Sequence, residues 1–145
     1  MSDGLLYDQT IPEGRIIART ELAWSFLSYM PIVPGHTIVL PVRIVARFEE
    51  LTEAERDELF SLMATVQSAL AKTFDAKGFN IAWNEGEESG QSVPHFHMHV
   101  LPRKKGDSGI TGHEPRKFIY RPDSREPSPE SELAAVASQI RAALR

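Results

Sequence analysis

Three of the five histidines of this 145-residue chain alternate along one short run, as His95, His97 and His99. The residues between them, Phe96 and Met98, are apolar. Such alternation is typical of a strand with one polar and one buried face, on which side chains at i, i+2 and i+4 point to the same side. No helix presents positions i and i+2 on one face. The pattern therefore predicts a strand that aligns three imidazoles at steps of about 6.6 Å.

Three roles suit a row of imidazoles. Neutral imidazole is a common metal ligand, although a catalytic zinc usually has three protein ligands and an ordered set of groups around them. Imidazole is also a nucleophile near neutral pH, because its pKa is about 6.5, and a neighbouring imidazole can stabilise phosphate charge or protonate a leaving group. The third role, a solvated surface row, is disfavoured because three of only five histidines coincide here.

The segment before the row carries groups that suit a phosphate. Gly90 lets backbone N–H groups approach a ligand closely, and Gln91 and Ser92 add an amide and a hydroxyl. Such donors fit phosphate oxygens better than a bare metal ion. A fourth histidine, His36, follows Gly35 at the head of another β-prone run. These flanks favour phosphate chemistry, with a zinc hydrolase on the three alternating histidines as a rival hypothesis.

Composition narrows the class of protein. The formal net charge is -4, which disfavours a general nucleic-acid partner, since such proteins usually carry a basic surface. The chain has no cysteine, which excludes disulfides and thiolate metal sites and fits a reducing compartment. No stretch approaches the ~18 apolar residues of a membrane span. We therefore expect a cytoplasmic protein that binds neither membranes nor nucleic acid.

Five runs of alternating or β-branched residues predict strands. They cover residues 15–19, 23–27, 36–40, 79–84 and about 92–103. A proline-rich connection between the second and third runs predicts a hairpin. Pro94 has no backbone N–H, so it predicts an irregular start or an edge position for the last strand.

A long helix is predicted over residues 52–74. Thr52 and Glu55 have the spacing of a capping box, and apolar residues recur at three- and four-residue steps as far as Phe74. Gly78 is the predicted stop just beyond the end of this helix.

A second helix is predicted over residues 128–144, with Ser128 as the cap and Pro129 in the first position. Together these elements predict an α+β fold, with about five antiparallel strands, one long helix and a C-terminal helix. We expect a single domain over residues 1–145, with its core at about 15–105 and a mobile, polar and glycine-containing loop at 106–127.

The alternating run and several segments around it resemble the histidine-triad (HIT) family, in which three histidines alternate with apolar residues. The matching segments are His95-Phe96-His97-Met98-His99-Val100-Leu101, Pro34-Gly35-His36, Pro41, Asn84-Glu85-Gly86, Gly90-Gln91-Ser92-Val93 and Leu101-Pro102-Arg103-Lys104. The similarity covers about residues 15–105. The segment 101–107 is most similar to the Fhit branch and related dinucleoside polyphosphate hydrolases.

The resemblance implies a HIT-like fold and a nucleotide hydrolase that cleaves a dinucleoside polyphosphate or a nucleoside phosphoramidate at the α-phosphate. By motif position, His97 is the expected nucleophile, which forms a covalent nucleotidyl-histidine intermediate. His99 is expected to contact the scissile phosphate and help to protonate the leaving group, while His95 and His36 orient this array. A nucleotide-binding or signalling module with little turnover is the alternative.

The same resemblance implies the residues that bind substrate. The expected phosphate-binding residues are Asn84, Gly90, Gln91, Ser92 and Val93, the last through its backbone N–H. Family members often carry Asp or Asn where Ser28 stands, so the shorter serine implies a weaker or water-bridged contact with the ribose. Phe26 and Ile38 are candidates for the base pocket, with ordinary core packing as the alternative.

The resemblance also implies partners. The expected substrate is a nucleotide that contains adenosine. No cofactor is required, and Mg²⁺ is expected only where a polyphosphate substrate carries it. We also expect a homodimer, in which the long helix and neighbouring strands meet across a twofold axis.

Overall fold

The computed structural model describes residues 11–107 and 127–144. Within them, five antiparallel strands form one sheet in the order β1-β2-β3-β5-β4. The elements are β1 (Ile16–Arg19), β2 (Ala23–Leu27), β3 (Thr37–Pro41), α1 (Glu53–Phe74), β4 (Gly78–Ala82), β5 (Met98–Arg103) and α2 (Glu130–Ala143). The α+β architecture and the β2–β3 hairpin are therefore confirmed. Most of the segment 106–127, expected to be a mobile loop, lies outside the described residues.

The sheet is buried on both faces near its centre, which is why every residue of β2 and β3 is buried. The main core lies between the sheet and the two helices, and α1 contributes to it Leu59, Leu62, Val66, Ala69 and Leu70. A second apolar cluster lies on the opposite face and contains Ile16, Trp24, Phe26, Ile38 and Leu40. No helix in the described part of the chain is both long and apolar enough to cross a membrane.

The start of α1 follows the predicted capping box. Thr52 Oγ1 accepts the Glu55 N–H at 3.1 Å, and Glu55 Oε1 accepts the Thr52 N–H at 2.8 Å. The predicted stop at Gly78 is wrong, because Asp75 ends the helix in the left-handed conformation at φ 53°. Aspartate tolerates this conformation, and Gly78 is thereby left to begin β4 opposite Arg103.

The predicted cap of α2 is also wrong. Pro129 occupies the N-cap position and no side chain caps the helix, which begins at Glu130. The backbone N–H of Ser128 donates to the Tyr29 carbonyl at 3.0 Å, outside the helix. This contact attaches the start of α2 to the connection between β2 and β3.

The last strand is shorter than predicted, because β5 begins at Met98 and not near residue 92. The N–H of His95 bonds to the Val93 carbonyl at 2.8 Å in a tight turn, and the N–H of Phe96 donates at 2.6 Å to Val45, outside the sheet. Pro94, inside this turn, has no N–H with which to form a ladder. Since only the last of the three alternating histidines lies in the strand, the prediction of three imidazoles on one strand face is wrong.

Candidate active site

His36, directly before β3, and His99 of β5 form a hydrogen-bonded pair. The Nε2 atom of His36 lies 2.9 Å from Nδ1 of His99, and Nδ1 of His36 accepts the Ile32 N–H at 3.0 Å. A neutral imidazole carries one N–H, so His36 must hold its proton on Nε2 and donate it to His99. His99 then holds its own proton on Nε2, which makes that atom a hydrogen-bond donor.

His97 has the opposite tautomer. Its Nδ1 lies 2.7 Å from the carbonyl oxygen of His95, and a carbonyl only accepts hydrogen bonds, so the proton of neutral His97 is on Nδ1. Nε2 therefore keeps a lone pair. The rings of His97 and His99 lie edge to face with centroids 5.0 Å apart. A potential nucleophile and a potential hydrogen-bond donor are thus neighbours, and both side chains are partly accessible.

His95 does not join the accessible histidines. Its side chain is fully buried, and its Nε2 lies 2.9 Å from the carbonyl oxygen of Pro41, at the end of β3. In the described ranges 11–107 and 127–144, no cluster of three His, Cys, Asp or Glu side chains is arranged to hold a metal ion. The geometry therefore gives the rival zinc hypothesis no ligand set, and His95 anchors the backbone whose carbonyl holds His97.

Residues 10–106, which contain all of these histidines, match the family model of the HIT domain. The chain belongs to the HIT family. It is 42% identical over 103 residues to the asymmetrical bis(5'-nucleosyl)-tetraphosphatase of Schizosaccharomyces pombe, a match that covers 70% of this chain and 57% of that protein. It is 33% identical over 133 residues to the bis(5'-adenosyl)-triphosphatase of Dictyostelium discoideum, covering 90% of this chain and 86% of that protein.

The fold agrees with this membership. The crystal structure of the Caenorhabditis elegans NitFhit protein aligns with a TM-score of 0.76 and 31% identity, covering 92% of this chain and 28% of that one. The expected HIT-like fold is therefore confirmed. The chain spans little more than half of the fission-yeast relative and about a quarter of NitFhit.

The expected phosphate-binding residues of this HIT domain all lie in residues 84–93, hereafter the phosphate loop. Two hydrogen bonds close the loop, from the Gly86 N–H to Gln91 Oε1 at 2.7 Å and from the Gln91 N–H to the Gly86 carbonyl at 3.1 Å. Asn84 lies just beyond β4, at the start of the loop, and Ser92 follows Gln91 near its end. Gly90 has φ 98°, a backbone conformation that residues other than glycine rarely adopt.

The candidate base-pocket residues line up with His99 across the sheet. Ile16 pairs with Phe26, Phe26 with Ile38, Ile38 with His99, and His99 with Ala82. Phe26 and Ile38 are buried in the second apolar cluster. The row therefore extends from the histidines into an apolar environment on the face away from the helices.

Ser28, the expected ribose position, lies directly after β2. Its backbone N–H donates to the His36 carbonyl at 2.8 Å. Both residues line a cavity of about 310 Å³, whose other wall comes from α2 and includes Glu132 and Leu133.

Sequence reasoning missed Arg15, which was interpreted only as a strand residue. The residue is 5% exposed, and its guanidinium lies 5.8 Å from the ring of Phe26 and 5.4 Å from that of Tyr29. Its Nε lies 3.5 Å from the Glu130 carboxylate of α2. An isolated arginine at the start of a predicted strand does not indicate that its side chain is buried beside Phe26 and Tyr29.

Arg103, at the end of the histidine-triad motif, is held by its neighbours. Its Nε and one terminal nitrogen donate to the two Asp107 carboxylate oxygens at 2.8 and 3.0 Å, and the other donates to Asn80 Oδ1 at 2.8 Å. The hydrogen bonds to Asp107 raise the pKa of Arg103. Arg103 therefore fixes the turn after β5.

Proposed function

We propose that this chain is a nucleotide hydrolase that cleaves a dinucleoside polyphosphate or a nucleoside phosphoramidate at the α-phosphate. The observation that carries the proposal is the pair of tautomers, a lone pair on His97 Nε2 beside an N–H on His99 Nε2. Relatives named as bis(5'-adenosyl)-triphosphatase and bis(5'-nucleosyl)-tetraphosphatase support the substrate class.

In the first step, Nε2 of His97 attacks the α-phosphorus in line with the leaving group. The new N–P bond forms as the P–O or P–N bond to the leaving group breaks, and that bond's electron pair departs with the leaving group. The Nε2–H of His99 donates a hydrogen bond to the departing atom and stabilises the negative charge that develops there, and a leaving group that needs a proton takes it from solvent. As the His97 ring becomes positive, its Nδ1–H bond to the His95 carbonyl is strengthened, which stabilises the nucleotidyl-histidine.

In the second step, water attacks the same phosphorus. The N–P bond breaks, its electron pair returns to Nε2 of His97, and the attacking water releases its proton to solvent. The product is a nucleoside monophosphate. Holding the nucleophile in place replaces a bimolecular attack by a positioned one, which is the main contribution expected of a protein to phosphoryl transfer.

The phosphate loop supplies donors for the non-bridging oxygens. We assign this role to the Ser92 hydroxyl, the Val93 N–H and the Asn84 amide, with Gly90 allowing the backbone to come close. The apolar row at Phe26 and Ile38 supports an adenine pocket, and adenosine is named in the relative from Dictyostelium. Ser28 is assigned to the ribose, and Mg²⁺ enters only with a polyphosphate. We propose a cytoplasmic site of action, which the absence of cysteine supports.

A substrate panel tests the activity. Dinucleoside polyphosphates and nucleoside phosphoramidates should each release a nucleoside monophosphate, as followed by phosphorus NMR or chromatography. A quench in alkaline denaturant, in which the P–N bond to imidazole survives, should leave label from an adenine-labelled substrate on the protein during turnover, and His97→Ala should leave none. Wild-type turnover by His97→Ala contradicts the covalent route, while tight nucleotide binding without any product identifies a binding module.

We also propose a homodimer that uses the β4 edge of the sheet and α1. Strand β4 is an edge strand, and exposed edges are pairing sites that proteins usually cover. Ile81 and Trp83 on or beside this strand are 40% and 37% exposed, and Phe60 of α1 is 37% exposed. Sedimentation should give twice the chain mass, and Ile81→Lys should give the monomer. A wild-type monomer at all concentrations contradicts the proposal.

A further inference from the structure

We propose that Glu85 and Gln91 form a two-point clamp that holds the phosphate loop against residues 46–48, so that both are positioning residues for the phosphate donors. The clamp itself is defined by hydrogen bonds, while its kinetic consequence rests on the proposed function.

Gln91 is the first point of the clamp. Its amide oxygen accepts the Gly86 N–H within the loop, and its amide nitrogen donates to the Ala46 carbonyl at 3.0 Å. One side chain therefore closes the loop and ties it to a segment that lies 45 residues earlier in the chain. Since both ends of the amide bond to backbone groups, the orientation of this side chain is fixed before any substrate arrives.

Glu85 is the second point. Its Oε2 accepts the Phe48 N–H and the Trp83 Nε1–H, each at 3.0 Å, and its Oε1 lies 3.6 Å from an Arg47 guanidinium nitrogen. A carboxylate in a phosphate-binding loop repels an anionic ligand unless its charge is directed elsewhere. Here these three partners hold the charge of Glu85 at the side of residues 46–48.

The two points are complementary. Gln91 donates to the carbonyl of Ala46, while Glu85 accepts the N–H of Phe48, two residues further along. The adjacent carbonyl of Val45 accepts the Phe96 N–H at 2.6 Å. The same short segment thus holds the phosphate loop and the backbone that leads to the proposed nucleophile.

The clamp determines where the phosphate donors lie. Ser92 and Val93 follow Gln91 directly, so their hydroxyl and N–H move with it. A displacement of about 1 Å at a reacting centre can lower a rate about 100-fold. Loss of either point should therefore weaken transition-state stabilisation more than ground-state binding.

Direct contact of Gln91 with phosphate is the competing explanation, and Glu85→Gln distinguishes the two. If the clamp operates, this isosteric change removes charge from the second point and lowers kcat. If Glu85 does not position the loop, removal of a negative charge near the phosphate leaves kcat unchanged and lowers KM. Glu88→Gln is the matched control, because Glu88 is an exposed carboxylate of the same loop.

The experiment measures kcat and KM for Glu85→Gln, Gln91→Met, the double variant and Glu88→Gln, with thermal melts for each. We expect each clamp variant to lower kcat at least about tenfold with KM within about twofold. The double variant should be less impaired than the product of the two single effects, because both residues hold one loop. Glu88→Gln should keep the kcat of the wild type.

Unchanged kcat in Glu85→Gln, or effects that multiply in the double variant, overturns the clamp. If Gln91→Met fails to fold, Glu85→Gln alone decides. Fluorescence gives a readout that needs no turnover, because Trp83 donates to Glu85. In a Trp24→Phe background, Gln91→Met should shift Trp83 emission and Glu88→Gln should not. If the wild type cleaves no substrate, the proposed function fails, and an unshifted emission then also overturns the clamp.

Discussion

His99 lies inside β5, where ladder pairing with Ile38 of β3 and Ala82 of β4 fixes its backbone. His97, two residues earlier, precedes the strand, and its ring is oriented by the carbonyl of His95. His95 is in turn attached to the Pro41 carbonyl. The proposed hydrogen-bond donor to the leaving group is thus held by sheet register, and the proposed nucleophile by a chain of individual hydrogen bonds.

The difference teaches that one short motif combines two kinds of support. Register is shared among many ladder bonds, so a single change outside the sheet leaves His99 in place. The support of His97 depends on a few carbonyls between residues 41 and 46, so changes to that segment should act on the nucleophile first. The two histidines can therefore be disturbed separately.

The largest effects are expected when the imidazole of His97 or that of His99 is removed. His97→Ala should lower turnover about 10⁴-fold or more, whatever the leaving group. His99→Ala should cost about 10²- to 10³-fold for a basic leaving group and much less for an acidic one, because the charge on an acidic leaving group needs less stabilisation by the His99 N–H. Steady-state kinetics over a leaving-group series measures this. Parallel losses for both variants contradict the division of roles.

The next change acts on His99 through its hydrogen-bond partner, His36. Gly35, directly before His36, has φ 87°, and a Cβ built there lies 2.6 Å from the Phe74 ring. Gly35→Ala should cost about 2–4 kcal/mol of unfolding free energy and lower turnover through displacement of His36. Chemical denaturation and kinetics measure both. Gly78→Ala, where a Cβ has nothing within 4 Å, should change stability by less than about 0.5 kcal/mol.

A third change removes an ion pair of Arg43, which lies in the segment 41–46 that supports the proposed nucleophile. Arg43 donates to both oxygens of Glu55, at 2.8 and 3.0 Å. Hydrogen bonds from Arg43, and to a smaller extent from Thr52, lower the pKa of Glu55 from 4.5 to about 2. Because the pKa is lower in the folded state, this stabilisation is complete above about pH 5 and is lost as the pH falls towards 2. Glu55→Gln should cost about 1–2 kcal/mol at pH 7, since the half-exposed arginine is screened by solvent.

Denaturation at pH 7 and pH 3 tests this effect. The gap between the wild type and Glu55→Gln should shrink at the lower pH, and turnover at pH 7 should fall modestly. Glu53→Gln, a change at an exposed carboxylate of the same helix, should leave the nucleophile's support intact. An equal gap at both pH values would sink the assignment to Arg43.

The smallest effect concerns the helix starts, away from both histidines. Thr52→Ala removes a capping hydrogen bond and should cost about 1 kcal/mol with unchanged turnover. Ser128→Ala should cost less than about 0.5 kcal/mol, because no side chain caps α2. Thermal melts of the two variants give the comparison, and equal shifts would mean that Ser128 does act as a cap.

Local patterns predicted the elements that depend on local interactions. The capping box and apolar stripe gave α1 from residue 53 to 74, because both signals lie within the helix itself. The alternation at residues 92–103 predicted too long a strand. A local pattern does not reveal that the Phe96 N–H donates to the Val45 carbonyl instead of to a neighbouring strand. Pro94 was the one local sign of this irregularity.

The candidate site was predicted in composition more than in geometry. The motif identified the four histidines, but no sequence pattern revealed that His95 is fully buried or that His36 donates to His99. Glu85 was missed for a related reason, since its partners Arg47 and Phe48 lie almost 40 residues earlier. Such long-range pairs become visible only when the sheet brings the loops together.

Each residue of the cross-strand row from His99 to Ile16 lies at a fixed distance from the histidine. Neighbouring strands are about 4.8 Å apart, so Ile38, Phe26 and Ile16 mark distances of about 5, 10 and 14 Å from the histidine. If the base of a substrate lies along this row, as proposed, its distance from the reacting phosphorus decides which of these side chains it meets. Enlarging or shrinking one side chain of the row should therefore select ligands by length, without any change to the reacting groups.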